Sequence, residues 1–148
     1  VNECAVAELE DGTLLLNMRN YDRSKRSRAL TRSSDGGETW SALTRHPELP
    51  EPICQASMIA TEDGRRLVFS NPASPDGRVA MTVKESRDGG RSWTTVRQLH
   101  AGPAAYSSLA RTADGGIACL YEAGEKSPYE SIRFEILPVK PRGEEKTD

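Results

Sequence analysis

Apolar residues in this chain fall into short runs that come in pairs. Runs at 4–9 and 13–18, at 56–61 and 66–70, and at 107–112 and 116–121 are each separated by a turn containing Asp-Gly: Asp11-Gly12, Asp63-Gly64 and Asp114-Gly115. Apolar-rich runs of this length between turn residues predict β-strands, and Asp-Gly between two of them predicts a hairpin closed by a type I′ turn, which needs positive φ. The three turns recur at intervals of 52 and 51 residues. Further strands are predicted over about 28–32, 78–85 and 131–137. No segment keeps a helical period for more than one turn, and Pro and Gly punctuate the chain throughout.

A second repeat has the same period. Ser33-Ser34-Asp35-Gly36-Gly37-Glu38-Thr39-Trp40 and Ser86-Arg87-Asp88-Gly89-Gly90-Arg91-Ser92-Trp93 both fit S-x-D-x-G-x-x-W and lie 53 residues apart. The Asp accepts backbone N–H bonds inside a turn, the Gly permits a conformation closed to other residues, and the Trp offers an apolar anchor. These are structural tasks. The unit thus reads as hairpin, third strand, octapeptide turn, fourth strand.

A four-stranded unit repeated along a chain is a propeller blade. The expected fold is all-β: a partial β-propeller of about three four-stranded antiparallel blades, near 1–51, 52–103 and 104–137. The third unit lacks the octapeptide and an obvious fourth strand, which another part of the chain supplies in a closed propeller. Residues 138–148 are polar and charged with two prolines over 138–142, and read as a tail outside the fold.

Composition narrows the function classes. A net charge of -2 and the absence of a basic tract argue against a nucleic-acid partner or a polybasic membrane patch. No apolar run approaches the roughly 20 residues of a membrane helix. Cys4, Cys54 and Cys119 show no metal spacing and read as small buried strand residues. His46 and His100 are isolated, each in a predicted loop after a Trp. No metal and no cofactor are expected. The chain opens on Val1 with an immediate strand pattern, so its start reads as a cut inside a larger protein, and the compartment of that protein stays open.

The repeat also aligns the chain on itself. Eight residues before each turn Asp stand Glu3, Gln55 and Tyr106; eight residues after stand Arg19, Asn71 and Glu122. Positions symmetric about a hairpin turn meet at its open end, and equivalent ends of propeller blades share one face. The expectation is a polar cluster near the axis, although strand ends are solvated and polar in any sheet.

These residues carry a resemblance. Asn2-Glu3-Cys4, the stretch from Leu14 through Met18-Arg19-Asn20-Tyr21, Phe69-Ser70-Asn71-Pro72, Gly102-Pro103-Ala104-Ala105-Tyr106-Ser107 and Leu120-Tyr121-Glu122, with two Asp boxes between them, are similar to the ordered motifs of bacterial exo-α-sialidases (neuraminidases), over residues 2 to about 137. The resemblance implies a six-bladed propeller that removes terminal sialic acid with retention through a tyrosine nucleophile, an exception to the two-carboxylate scheme. A neutral phenol avoids like-charge repulsion with the sugar carboxylate but needs a base. It implies Tyr106 as nucleophile, Glu3 as its base, Arg19 and Arg78 as two of three carboxylate-binding arginines, and Glu122 as the acid that holds the first arginine. Gln55 and Asn71 are further candidates for sugar contact. The implied partners are sialylated glycans and an N-terminal half that completes the propeller; without it, exposed blades favour self-association.

The sequence departs from the family at one point. It contains neither a Phe-Arg-Ile-Pro-like motif with the first arginine nor the acid/base aspartate that follows it, so the chain by itself is expected to be inactive. A trans-sialidase and a non-catalytic Asp-box propeller binding glycan or protein remain alternatives.

Overall fold

The computed structural model describes residues 2–137; the predicted tail 138–148 lies outside them. The described residues form ten strands: β1 (Asn2–Glu8), β2 (Leu14–Arg19), β3 (Ser27–Ser33), β4 (Thr44–Pro50), β5 (Ser57–Ala60), β6 (Leu67–Pro72), β7 (Val79–Ser86), β8 (Thr94–Arg111), β9 (Ile117–Ala123) and β10 (Ser131–Leu137). The chain is all-β, and every strand pair is antiparallel.

Strands β1 to β4 pair in sequence order as the first blade. Strands β5, β6 and β7 form the second with the first part of β8, whose pairing to β7 runs from Glu85↔Thr94 to Val79↔Pro103. From Ala104 onward the same strand turns to β9, which pairs with β10, making a third blade of three strands among the described residues. The fourth strand of one blade and the first of the next are therefore one unbroken strand, where the apolar pattern predicts a hairpin strand only from 107.

The hairpin turns differ from the expected type. Gly12, Gly64 and Gly115 have positive φ, but Asp11, Asp63 and Asp114 do not, so these are not type I′ turns. Instead each Gly N–H donates to the residue three back: Leu9, Thr61 and Thr112, all at 2.9 Å. The Asp carboxylate caps the turn by accepting from the N–H two residues on, at Thr13 (2.9 Å), Arg65 (3.1 Å) and Gly116 (3.3 Å). A three- or four-residue loop with one left-handed glycine closes the hairpin, and Asp serves as a side-chain acceptor.

Two apolar layers hold the blades together. Leu15, Leu30, Leu49, Leu67, Phe69 and Trp93 fill the space between the first and second blades. Val68, Met81, Val83, Leu109, Ile117 and Tyr121 fill the space between the second and third. Strand β6 is buried along its whole length because it is covered on both sides, so Leu67 and Phe69 face one layer and Val68 the other. Two of the three cysteines meet the expectation of burial, but Cys4 is exposed and Cys54 precedes a strand. His46 and His100 lie in β4 and β8 rather than in loops.

Candidate active site

The open ends of the hairpins meet at one face, and β-bulges aim two of the key side chains. In β1, Asn2 pairs with Arg19 and Cys4 with Met18, leaving Glu3 as an extra residue with φ at +44°. In β8, Ala104 pairs with Ala123 and Ser107 with Tyr121, so Ala105 and Tyr106 together oppose Glu122. A bulge breaks strict alternation and redirects a side chain. The left-handed conformation at Glu3 costs a non-glycine residue free energy that its surroundings must offset.

Those surroundings are polar. The Tyr106 hydroxyl donates to Glu3 Oε1 at 2.6 Å, and Arg19 forms an ion pair with Glu3 Oε2. Arg19 Nη1 also lies 3.4 Å from the Tyr106 hydroxyl. Arg78, immediately before β7, places its guanidinium 5.8 Å from the centre of the Tyr106 ring. Glu122 Oε2 accepts from the Tyr106 backbone N–H at 3.0 Å. Residues from the first and third blades thus meet within hydrogen-bond reach, with Arg78 of the second blade against the Tyr106 ring, although Glu3 and Tyr106 are 103 positions apart.

Electrostatics follow from this packing. Burial alone would raise the Glu3 pKa, but hydrogen bonds from Tyr106 and Arg19 and the charges of Arg19 and Arg78 outweigh it and lower the carboxyl. The hydrogen bond to Glu3 pushes the Tyr106 phenol up, with burial and the Glu3 charge adding to it and Arg19 opposing. Burial would lower Arg19, but its hydrogen bond to Glu3 and the Glu3 charge raise it. At neutral pH the pair is a phenol donating to a carboxylate, a hydroxyl with an acceptor for its proton already in place.

The remaining predicted residues are placed differently. Gln55 donates to the Ser107 carbonyl and accepts from the Ser107 N–H, both at 2.9 Å, so its amide ties the second blade to the strand that carries Tyr106. Asn71 is buried and donates to the Pro50 carbonyl at 2.8 Å, away from the open surface.

Three groups at the site escape the sequence reading. Arg28 and Glu51 form a fully buried ion pair beneath Arg19. Glu51 also accepts from the Asn20 N–H, and Arg28 bonds Asn17 Oδ1 at 2.6 Å and the Cys54 carbonyl at 2.7 Å. Burial pushes Glu51 up and Arg28 down, each against the charge of the other. Tyr21 lies with its ring 4.8 Å from the Arg19 guanidinium, and Tyr129 accepts from Arg78. A cavity of about 480 Å³ runs beside the cluster, lined by Arg19, Tyr21, Ile53, Asp76 and Arg78. A larger one, about 1150 Å³, lies at the closed ends of the hairpins, between the turns near Thr61 and Thr112, remote from Tyr106.

Residues 1–119 match the BNR repeat-like domain. The chain belongs to this family of BNR repeat-like domains. A sialidase of Micromonospora viridifaciens is 34% identical over 145 residues, covering 93% of this chain and 22% of its own. A sialidase of Bacteroides fragilis is 38% identical over 148 residues, covering 93% of this chain and 26% of its own. Among solved structures, the Hadza microbial sialidase Hz136 superposes with a TM-score of 0.72 at 36% identity, over 91% of this chain and 27% of that one. The intramolecular trans-sialidase of Ruminococcus gnavus, solved with oseltamivir carboxylate, also gives 0.72, at 25% identity, over 94% of this chain and 34% of that one. The chain therefore spans about a quarter of the length of the curated relatives it matches.

Proposed function

We propose that this chain supplies the C-terminal half of the active site of an exo-α-sialidase, with Tyr106 as nucleophile and Glu3 as its base. The observation that carries the reading is the 2.6 Å bond from the Tyr106 hydroxyl to Glu3, with Arg19 paired to the other carboxylate oxygen. In this mechanism Glu3 takes the phenol proton as the Tyr106 oxygen bonds the anomeric carbon and the glycosidic C–O bond breaks. Water then cleaves the tyrosyl bond with the proton returned, and two displacements give retention. Arg19 and Arg78 bind the substrate carboxylate, for which planar guanidinium forks are suited. Glu122, through the Tyr106 N–H, and Gln55, through Ser107, support the bulge from below; Asn71 braces the loop beneath. The group that protonates the leaving oxygen and the third arginine come from the complementary half of the propeller.

That half also covers the apolar faces at the two ends of the chain: Val6, Trp40 and Leu43 on the first blade, and Leu120, Ile132, Phe134 and Ile136 on the third, all exposed. Alone, the chain associates with itself through them, which size-exclusion chromatography over a range of concentrations detects.

The test of function is release of a fluorogenic aglycone from a sialoside. The chain alone should release little or none. Joined to the N-terminal part of the Bacteroides fragilis relative it should turn over, and Tyr106→Phe should abolish this. Turnover by the lone chain within about tenfold of a typical enzyme rate of ~10 per second, or unchanged turnover by the Tyr106→Phe assembly, would overturn the assignment.

A further inference from the structure

Tyr129 stands in the loop between β9 and β10, and that loop is tied from within. Glu130 accepts from three backbone N–H groups, those of Glu125 (2.9 Å), Lys126 (2.9 Å) and Ser127 (2.8 Å). These bonds hold its carboxyl below the ordinary range. At the root of the loop, a Cβ on Gly124 would meet the Ser127 carbonyl oxygen at 2.1 Å. The backbone is packed too closely there for a side chain.

This stiff loop carries an aromatic ring that is 62% exposed, so apolar packing does not explain its position. Its hydroxyl instead reaches back to the second blade and accepts from Arg78 Nη1 at 2.5 Å. Arg78 also faces the Tyr106 ring and donates from Nη2 to the Ile53 carbonyl at 3.3 Å. None of these three contacts is charged; the Glu3 carboxylate feels the Arg78 charge without forming an ion pair with it among the described residues.

The contrast with Arg19 is one of charge. Arg19 is paired to the Glu3 carboxylate, which offsets its charge toward any incoming anion. A guanidinium held by a phenol, a ring face and a carbonyl keeps its charge for a carboxylate that arrives later. A free Arg side chain samples many rotamers, and part of that entropy is lost on binding unless the fork is already oriented.

We propose that Tyr129 is a positioning residue for Arg78: its hydroxyl fixes the plane of the guanidinium without neutralising it, so that Arg78 meets the substrate carboxylate oriented and charged. This deepens the sialidase reading and rests on it. Tyr129 touches the arginine and none of the reacting atoms.

The test uses the whole chain, labelled with 15N, titrated with N-acetylneuraminic acid at millimolar concentration while the arginine side-chain N–H resonances are followed. The methyl ester of the same sugar serves as the uncharged control. The acid should shift the Arg78 resonance and the ester should not. Tyr129→Phe removes one oxygen from an exposed ring; it should weaken acid binding roughly tenfold, the lower end of what a hydrogen bond to a charged group contributes, with the unfolding midpoint unchanged. Glu130→Gln, which loosens the loop, should weaken acid binding in the same direction. In the assembled enzyme, Tyr129→Phe should raise KM and leave kcat nearly unchanged, because the arginine grips the carboxylate in ground and transition states alike. Acid binding undiminished in Tyr129→Phe overturns this proposal alone. A wild-type chain that binds neither acid nor ester overturns the site reading and this inference with it.

Discussion

The two Asp boxes share a sequence and a turn, yet their tryptophans end in different places. In both, the leading serine bonds the aspartate, at 2.7 Å for Ser33 and 2.8 Å for Ser86, and accepts from the second glycine N–H. In both, the aspartate accepts from the backbone four residues on, Thr39 or Ser92, at 2.9 Å. The turns are therefore equivalent. Trp93, however, is 4% exposed and meets Phe69 edge-on at 5.7 Å, whereas Trp40 is 40% exposed and folds back to donate to the Gly37 carbonyl at 3.0 Å. The second box is wedged against the first blade, where Arg32 reaches the Gly89 carbonyl (2.5 Å) and Glu48 accepts from the Trp93 N–H (2.7 Å). Among the described residues no sheet precedes the first blade, so Trp40 has nothing to enter. Eight residues dictate the turn; the anchor also needs a neighbour. Trp93 even leaves its indole N–H buried without a partner, and the area it buries outweighs that loss.

The largest break in this comparison should come from removing the anchors. Trp93→Ala should cost about 3–5 kcal/mol, read from the urea midpoint, because it opens a cavity between two blades. Trp40→Ala should cost about 1 kcal/mol or less, as exposed positions do. Equal losses would mean that the second tryptophan is no anchor. A smaller difference should separate the second glycines of the boxes. Gly37 and Gly90 both have positive φ, so alanine at either costs about 1–2 kcal/mol. Only at Gly90 does the new Cβ meet a neighbour closely, Leu15 Cδ2 at 2.7 Å, adding roughly 1–3 kcal/mol of overpacking. That excess should vanish in a Leu15→Ala background; its persistence would remove the blade–blade contact as the cause.

The smallest effect is on pH dependence, where the boxes should agree. Hydrogen bonds from Thr39 and Ser33 hold the Asp35 carboxyl far below the carboxylate range. At Asp88, burial pushes upward, and bonds from Ser92, Ser86 and Arg91 overcome it in the same direction. A carboxyl lowered on folding contributes stability above its unfolded pKa of about 3.9 and loses it as pH falls toward the folded value. Asp35→Asn and Asp88→Asn should each flatten the fall in urea midpoint below about pH 4, by similar amounts. An effect confined to Asp88 would show that its turn, too, depends on the adjoining blade.

What the sequence disclosed followed the same division. Patterns within a hairpin, and their recurrence at intervals of 52 and 51 residues, were legible: the hairpins, the box turns, and the symmetric positions that bring Glu3, Arg19, Tyr106 and Glu122 together. Bulges displace Glu3 and Tyr106 without separating them, because each bulge lies at the open end, beyond the strictly alternating part; Asn71, at the equivalent spacing, instead turns inward to the Pro50 carbonyl. What depended on contacts that neither a hairpin nor the repeat expresses was hidden. Arg28 and Glu51 are 23 positions apart and meet in the interior. Tyr129 and Arg78 are 51 apart and join through a loop with no periodicity. The burial of Trp93 and exposure of Trp40 differ through their neighbours, which identical motifs cannot express. The continuity of β8 was masked because two sheets cover different stretches of it, so no single alternation runs its length.

That continuity has a consequence for how such a chain can vary. With no connector between Pro103 and Ala104, there is no slack to take up a change in length. Side chains alternate with a period of two, so one residue added between Leu99 and Pro103 would invert the facing of everything downstream unless a second irregularity restored the phase. Tyr106 is only three positions past the handover. Insertions and deletions should thus accumulate in the tips of the loops and be rejected in this ribbon, where the length of one blade's outermost edge sets the aim of the next blade's innermost side chain.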